Sequence, residues 1–114
     1  MAPGGFVPDR GDIVYLSFDP QAGHEQAGRR PAIILSPANY NRKTDLALFC
    51  PITNQKKGYP FEIPLPADLQ VTGVVLSDQI KSLDWRARKA SLVCQAPDEI
   101  VFQILDKLSL LLTY

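Results

Sequence analysis

The chain has 114 residues, of which 46% are hydrophobic, so it is long enough to bury a core without metal or disulfide cross-links. Its formal net charge is zero, which argues against a general binder of polyanions. The sequence shows neither the charged start of a secretory signal nor an apolar run that could span a membrane, and we expect one cytoplasmic domain over residues 1–114.

The first part of the chain contains two predicted β-strands separated by a loop. Residues 13–18 are mostly β-branched, aromatic or aliphatic and alternate between two faces. Residues 21–28 contain two glycines and no apolar periodicity, which is typical of an exposed loop that carries functional residues. Pro31 then precedes a continuous apolar run at 32–35, which predicts a strand buried on both faces.

The middle of the chain continues this pattern of short strands. Residues 36–44 form a turn-rich connection with room for one short helical turn. Residues 46–53 alternate like a strand, and Pro51 within them indicates a sheet edge or a bulge. Further strands are predicted at 61–65, 74–76, 79–83 and 90–95.

The period changes at Pro97, which suits the first position of a helix, and Asp98 and Glu99 suit its positive N-terminus. The apolar residues that follow fall on one broad face: Ile100, Val101, Ile104, Leu105, Leu108, Leu111 and Leu112. Phe102 and Leu110 lie off that face. The whole pattern predicts a mainly β fold, a strongly bent antiparallel sheet or partly closed barrel with a C-terminal helix. Parallel βαβ architecture is excluded because the connections lack crossover helices.

Several kinds of active site are excluded by missing motifs. The sequence contains no GxSxG nucleophile elbow, no phosphate-binding Walker loop and no HExxH zinc motif. Cys50 and Cys94 both lie within apolar runs, and with a single histidine in the chain they are too few to hold zinc. We expect two reduced core cysteines, no metal site and no cofactor.

The distribution of charge points to a phosphate-containing substrate. Residues 29–89 contain ten basic and five acidic side chains, so this span carries five net positive charges while the two ends carry five net negative ones. Arg30 enters the second strand, and its planar fork can grip a phosphate through two hydrogen bonds. Thr53 ends the third strand and can donate one more. RNA supplies its own 2′-hydroxyl nucleophile, so its cleavage needs a base and a proton for the leaving oxygen, and Glu25 is a candidate for the base.

Each of these residues also has an ordinary structural explanation. Glu25 and Arg30 can form a surface ion pair worth at most about 1 kcal/mol. Thr53 can be a simple β-former at a strand end. His24 has a suitable pKa for proton transfer, but a lone histidine in a glycine-flanked loop is usually solvated.

Beyond these single residues, several motifs in one order resemble the MazF/PemK family of toxin endoribonucleases from Phe6 to the C-terminal helix. The motifs are Val7-Pro8-Asp9-Arg10-Gly11-Asp12, Phe18-Asp19-Pro20, Glu25-Gln26-Ala27-Gly28-Arg29-Arg30-Pro31, Ser36-Pro37, Pro51-Ile52-Thr53, Lys57-Gly58-Tyr59-Pro60-Phe61-Glu62, Asp78-Gln79-Ile80-Lys81-Ser82 and Trp85-Arg86-Ala87-Arg88. Their number and order make the resemblance much stronger than any one motif alone.

The resemblance implies an SH3-like bent antiparallel barrel, a homodimer and metal-independent, sequence-specific cleavage of single-stranded RNA through a 2′,3′-cyclic phosphate. The family's catalytic arginine and threonine fall on Arg30 and Thr53, and its loop glutamate falls on Glu25. The RNA groove would involve Gln26, Lys56 and Gln79. We add His24, where this chain departs from the family, as a candidate for RNA contact. A cognate MazE-like antitoxin would block the groove with an extended acidic segment.

Two other functions remain open at this point. A CcdB-like topoisomerase poison shares the same barrel, but that family contacts its target through a C-terminal Trp-Gly-Ile, whereas this chain ends Leu-Leu-Thr-Tyr. A noncatalytic RNA-binding barrel would offer exposed aromatic side chains for base stacking. Phe49 and Tyr59 are candidates, although core packing better explains Phe49.

Overall fold

Residues 5–18 and 28–113 are described by the computed structural model, and seven strands and two helices lie within them. The elements in chain order are β1 Asp12–Ser17, β2 Arg29–Ile34, α1 Ala38–Thr44, β3 Leu46–Thr53, β4 Glu62–Pro64, β5 Val74–Leu76, β6 Lys81–Asp84, β7 Ser91–Gln95 and α2 Asp98–Leu112.

The seven strands form one antiparallel sheet in the order β4-β5-β3-β2-β1-β7, with β6 also paired to β3. The strand β3 organises this sheet because it has β2 on one side and β6 followed by β5 on the other. The predicted mainly β fold with a C-terminal helix is confirmed. The barrel is not strictly closed, since β4 and β7 stand at opposite ends of the strand order.

Pro51 lies at a break between two neighbours of β3, which explains how a sheet accepts it. The pairs with β6 end at Phe49, and the pairs with β5 begin at Ile52. Pro51 has no N–H to donate. At this residue the neighbour of β3 changes from β6 to β5, so the sheet does not need a hydrogen bond from Pro51. The expected sheet edge is therefore a local one.

Some element boundaries differ from the sequence prediction. The strand β2 begins at Arg29, before Pro31, because residues 29–33 pair with β1. The strand β6 begins at Lys81, since the N–H of Gln79 donates to the carbonyl of Leu76 and closes a turn. The connection at 36–44 contains a seven-residue helix, α1, which is longer than the single turn expected.

Both faces of the β1–β2 pair are covered, as the apolar run at 32–35 predicts. On one face a core cluster packs beneath α2: Ile13, Ile33, Leu35, Cys50, Ile52, Ile63, Val71, Val75, Ala96, Ile100, Val101, Ile104 and Leu108. On the other face lies a second cluster: Val14, Leu16, Ala32, Ile34, Ala47, Phe49 and Trp85.

The apolar face predicted for α2 is wrong in part. Ile100, Val101, Ile104 and Leu108 are buried, but Leu105 is 38% exposed, Leu111 50% and Leu112 76%. Leu105 and Leu112 instead line an open cavity of about 630 Å³ together with Leu35, Leu48 and Ile80. No helix among those residues is long and apolar enough to cross a membrane.

Candidate functional site

Arg30 and Thr53 lie on neighbouring strands at the same end of the sheet. The pairing of β2 with β3 ends with Ala32 opposite Pro51. The same register, extended by two residues along each strand, sets Arg30 opposite Thr53, and opposite residues of an antiparallel pair share a face. Arg30 is exposed and Thr53 is half-buried, so both side chains can meet a ligand from solvent.

A cavity of about 210 Å³ opens beside Thr53. Its lining is mostly polar and comprises Thr53, Gln55, Lys57, Tyr59, Glu62, Leu76, Asp78 and Gln79. The Oγ1 of Thr53 accepts a hydrogen bond of 3.1 Å from the N–H of Gln55. A hydroxyl that accepts one hydrogen bond still has its own proton to donate, so Thr53 is oriented and keeps a donor for a ligand.

The loop between β3 and β4 is held in shape by Glu62. Its carboxylate accepts hydrogen bonds from the backbone N–H of Lys57 at 2.9 Å and of Gly58 at 3.0 Å. Gly58 has φ +79, a left-handed conformation that glycine adopts without steric cost. The result is a fixed loop that presents Lys57 and the 60% exposed Tyr59 at the cavity.

The structure brings together some of the residues predicted from sequence and separates others. Gln79 lines the same cavity as Thr53. Lys56 lines a different cavity of about 240 Å³, together with Asn54 and residues between the end of β4 and the start of β5. His24, Glu25 and Gln26 lie outside the described residues.

Six residues that line the cavity were not predicted as catalytic or RNA-groove residues: Gln55, Lys57, Tyr59, Glu62, Leu76 and Asp78. Of these, Tyr59 was considered only as a stacking residue of a noncatalytic RNA-binding barrel. Asp78 reaches the cavity through the turn from Leu76 to Gln79. The bend at 77–78 is visible in the sequence as a break in strand composition. This break is the sequence feature from which Asp78 could have been predicted as a site residue. Nothing in the sequence distinguishes Lys57 from Lys56, because the path of the loop decides which lysine faces the cavity.

Side chains of both charges line the cavity. Lys57 supplies the ammonium group, whereas Glu62 and Asp78 supply carboxylates. Glu62 is engaged by two backbone donors, which leaves Asp78 as the carboxylate placed to accept from a ligand. Within residues 5–18 and 28–113 no group of three or more His, Cys, Asp or Glu side chains is arranged to hold a metal ion.

Cys50 is not a nucleophile for this site. Its side chain is fully buried, and burial, with a further contribution from Asp78, raises the pKa of the thiol to about 12. Only a thiolate attacks efficiently, so this thiol is inert at neutral pH. Both cysteines are free, which agrees with the expectation that they are reduced.

Comparisons with known proteins agree on one family. The model of the family described as "PemK-like, MazF-like toxin of type II toxin-antitoxin system" matches residues 9–112. The chain is 51% identical over 96 residues to "Endoribonuclease toxin MazF" of Escherichia coli K12, covering 83% of this chain and 86% of the relative. It is 38% identical over 109 residues to "Endoribonuclease PemK" of Escherichia coli, covering 92% and 82%.

Solved structures give the same picture. A MazE-MazF complex (Form-II) from Deinococcus radiodurans contains a chain 54% identical to this one, with a TM-score of 0.91 over 96% of this chain and 98% of that chain. MazF (Form-I) from the same organism is also 54% identical, with a TM-score of 0.87 over 96% and 100%. These similarities extend over nearly the whole described sheet and both helices.

Proposed function

The chain belongs to the PemK-like, MazF-like family of type II toxin endoribonucleases, and on this premise we propose that it cuts single-stranded mRNA at a short sequence and so inhibits translation. The family predicted from the sequence motifs is thereby confirmed. The relatives named above are endoribonucleases, so they give no support to a CcdB-like topoisomerase poison. Because mRNA is the substrate, the proposed place of action is the cytoplasm.

The observation that supports the proposed chemistry is that β2 and β3 are neighbouring antiparallel strands whose last pair, Ala32 and Pro51, lies two residues from Arg30 and from Thr53. The Arg30 guanidinium donates to the nonbridging oxygens of the scissile phosphate, and the Thr53 hydroxyl donates one further hydrogen bond. The 2′-oxygen attacks in line, a new bond forms from phosphorus to that oxygen, and the bond to the 5′-oxygen breaks. The products are a 2′,3′-cyclic phosphate and a 5′-hydroxyl end.

Arg30 acts mainly by electrostatic stabilisation. An arginine stays protonated at any physiological pH, so it can hold the negative charge that builds up on the phosphate in the transition state. A base must remove the 2′-hydroxyl proton, and a proton must reach the leaving 5′-oxygen. The resemblance to the family assigns the base to Glu25. This route needs no metal ion, because the nucleophile belongs to the substrate.

The cavity beside Thr53 is a suitable place for the nucleotide next to the cut. Gln79 and Asp78 offer hydrogen-bonding groups to a base edge, and the exposed ring of Tyr59 offers a surface for stacking. Lys57 lies where it can meet the RNA backbone. The resemblance adds Gln26 and Lys56 as further RNA contacts, and His24, where this chain departs from the family, is our own addition.

The partners proposed for this chain are an antitoxin and a second copy of itself. Relatives have been solved as MazE-MazF complexes, and we propose that a MazE-like antitoxin occupies the RNA groove of this chain with an acidic segment. The net positive charge of residues 29–89 favours such a segment as well as RNA.

The role of Arg30 is tested with Arg30→Ala. We expect the rate of RNA cleavage to fall by about 10²–10³, the usual cost of losing a transition-state donor. The thermal midpoint should stay near that of the parent, because Arg30 is exposed. Arg42→Ala, at an exposed arginine of α1, is the matched control and should cleave normally. If Arg30→Ala cuts like the parent, the catalytic assignment is wrong.

The same assay separates the proposed chemistry from its alternatives. A defined single-stranded RNA is incubated with the protein in excess chelator, and the ends of the fragments are analysed. Cleavage with cyclic phosphate ends is the expected result. A requirement for metal would exclude this mechanism, and binding without cleavage would favour the noncatalytic RNA-binding barrel.

A further inference from the structure

Arg29 spans three neighbouring strands with one side chain. Its Nη2 lies 3.0 Å from the carbonyl oxygen of Tyr15, 2.6 Å from that of Lys89 and 2.9 Å from the Oγ of Ser91. The strand order is β2-β1-β7, so the side chain crosses β1 to reach the turn before β7 and then β7 itself. One nitrogen with two protons faces three oxygens, so its donors are fully used within the protein.

A second arginine holds the strand that faces Arg29. The Nη1 of Arg88 donates to the carbonyl oxygens of Ser17 at 3.0 Å and Phe18 at 2.8 Å. The N–H of Ser17 donates in return to the carbonyl of Arg88 at 3.1 Å. Ser17 is the residue opposite Arg29 in the β1–β2 pair. Arg29 and Arg88 therefore fasten both members of this strand pair to the turn at 85–90.

Within residues 5–18 and 28–113, the first residues of β2 pair with β1 but not with β3. The pairing of β2 with β3 ends at Ala32, and Pro31 has no N–H to extend it. Arg30 therefore depends on β1 for the position of its backbone. If this end of β2 were held only loosely, the exposed side chain of Arg30 would sample several rotamers, because a free arginine carries about 2 kcal/mol of rotamer entropy.

We propose that Arg29 is a positioning residue for Arg30, and that its brace across β1 and the turn at 85–90 keeps the Arg30 guanidinium aimed at the scissile phosphate. Strand alternation puts the two side chains on opposite faces, so Arg29 acts through the backbone rather than by touching RNA. This inference rests on the proposed function, since it takes Arg30 as the catalytic group.

Two variants, one that keeps the charge and one that removes a charge, separate positioning from simple attraction of RNA. Arg29→Lys keeps the positive charge but loses the fork that reaches several oxygens. We expect its kcat to be roughly 10- to 100-fold lower, the cost of a small misplacement of a catalytic group, with KM changed by less than about twofold. Lys89→Asn removes a charge at the same turn but keeps the carbonyl acceptor, and asparagine tolerates the left-handed φ of 57. It should keep the parent kcat.

Ser91→Ala provides a graded test at an exposed residue, because it removes one of the three acceptors of Arg29. We expect its kcat to lie between those of the parent and Arg29→Lys. If Arg29→Lys cleaves like the parent, the positive charge is sufficient, and if only KM rises, the guanidinium contributes to RNA binding. The proposal fails in either case.

A measurement without RNA keeps this inference distinct from the proposed function. The heteronuclear NOE of the Arg30 Nε–Hε group reports how firmly that side chain is held. It should fall in Arg29→Lys and stay unchanged in Lys89→Asn. A fall in a protein that cuts no RNA would support the brace and overturn the proposed function. An unchanged signal in Arg29→Lys would overturn the brace whatever the protein cleaves.

Discussion

Two residues of β3 show how position along a strand sets what a side chain can do. Thr53 ends the strand, where it is half-buried and its hydroxyl lines the cavity. Cys50 lies three residues earlier and is fully buried in the core cluster beneath α2. Its Sγ lies 3.8 Å from the carbonyl oxygen of Ser77, a long contact typical of a weak thiol donor. The same strand thus holds one group for chemistry and one for packing.

The buried thiol predicts a pH dependence of stability. The pKa of Cys50 rises from 9.0 to about 12 on folding, chiefly because burial disfavours the thiolate. Below pH 9 both states keep the proton, so the thiol does not change stability with pH. Between pH 9 and 12 the unfolded chain loses a proton that the folded chain retains, and the free energy of unfolding falls.

This effect is measured by denaturant unfolding of the parent and of Cys50→Ala below pH 9 and between pH 9 and 12. All other side chains are the same in the two proteins, so the difference between their pH dependences reports on Cys50. The parent should lose more stability than the variant as the pH rises. Parallel losses in the two proteins would show that the thiol does not contribute.

Among the elements, β3 and the turn before β5 are fitted to each other at the candidate site. Gly73 lies beside the end of β3, and its carbonyl accepts a hydrogen bond from the N–H of Leu65 at 3.0 Å. A Cβ built on Gly73 would lie 2.3 Å from the carbonyl oxygen of Thr53, and the φ of Gly73 is +118. Only glycine allows this approach, so the turn helps to determine where the backbone of Thr53 lies.

We therefore expect Gly73→Ala to impair cleavage by moving Thr53. The methyl group would meet rigid backbone rather than a flexible side chain, so the end of β3 must shift. Its cleavage rate should fall about as far as that of Thr53→Val. Gly58→Ala is the matched control, because Gly58 has φ +79 but nothing within 4 Å of a Cβ. That variant carries only backbone strain of roughly 1–2 kcal/mol. Equal cleavage rates for Gly73→Ala and Gly58→Ala would contradict the expectation.

At the scale of the whole molecule, one buried amide joins parts of the chain that are far apart in sequence. The Nδ2 of Asn41 donates to the carbonyls of Pro8 at 2.8 Å and Ser36 at 3.0 Å. Its Oδ1 accepts from the hydroxyl of Ser36 at 2.6 Å, and its backbone oxygen accepts from the indole N–H of Trp85 at 2.9 Å. The segment before β1, the helix α1 and the end of β6 are thereby tied together.

Removing this amide should destabilise the whole fold. Asn41→Ala leaves two buried carbonyls and a hydroxyl without their partner, and we expect a loss of about 2–4 kcal/mol in the free energy of unfolding. Asn39→Ala on the same helix is the control, because Asn39 is exposed and accepts only from the N–H of its neighbour Tyr40. Similar losses in both variants would mean that helix propensity, not the buried network, sets the effect.

Much of the fold and part of the site could be predicted from sequence. Alternation, apolar runs and proline positions predict the strands and the C-terminal helix, because each depends on the chemistry of neighbouring residues. The ordered motifs identify the family. Arg30 and Thr53 were predicted as site residues from the same motifs, and their catalytic roles stay predictions until the variants are measured. The boundary of β2 was missed because pairing with β1, not local propensity, begins that strand at Arg29.

By itself, then, the sequence determined the elements, their periodicity and the family, since these are written in local composition and in the order of motifs. Only the tertiary structure decided which side chains meet. Arg30 and Thr53 come to the same end of the sheet because β2 and β3, strands more than ten residues apart, pair as neighbours. Lys57 rather than Lys56 lines the cavity because Glu62 fixes the loop. Arg29 reaches Ser91 of β7 because the strand order places β7 two strands away from β2, on the far side of β1. Such contacts depend on long-range pairing, which no local pattern specifies.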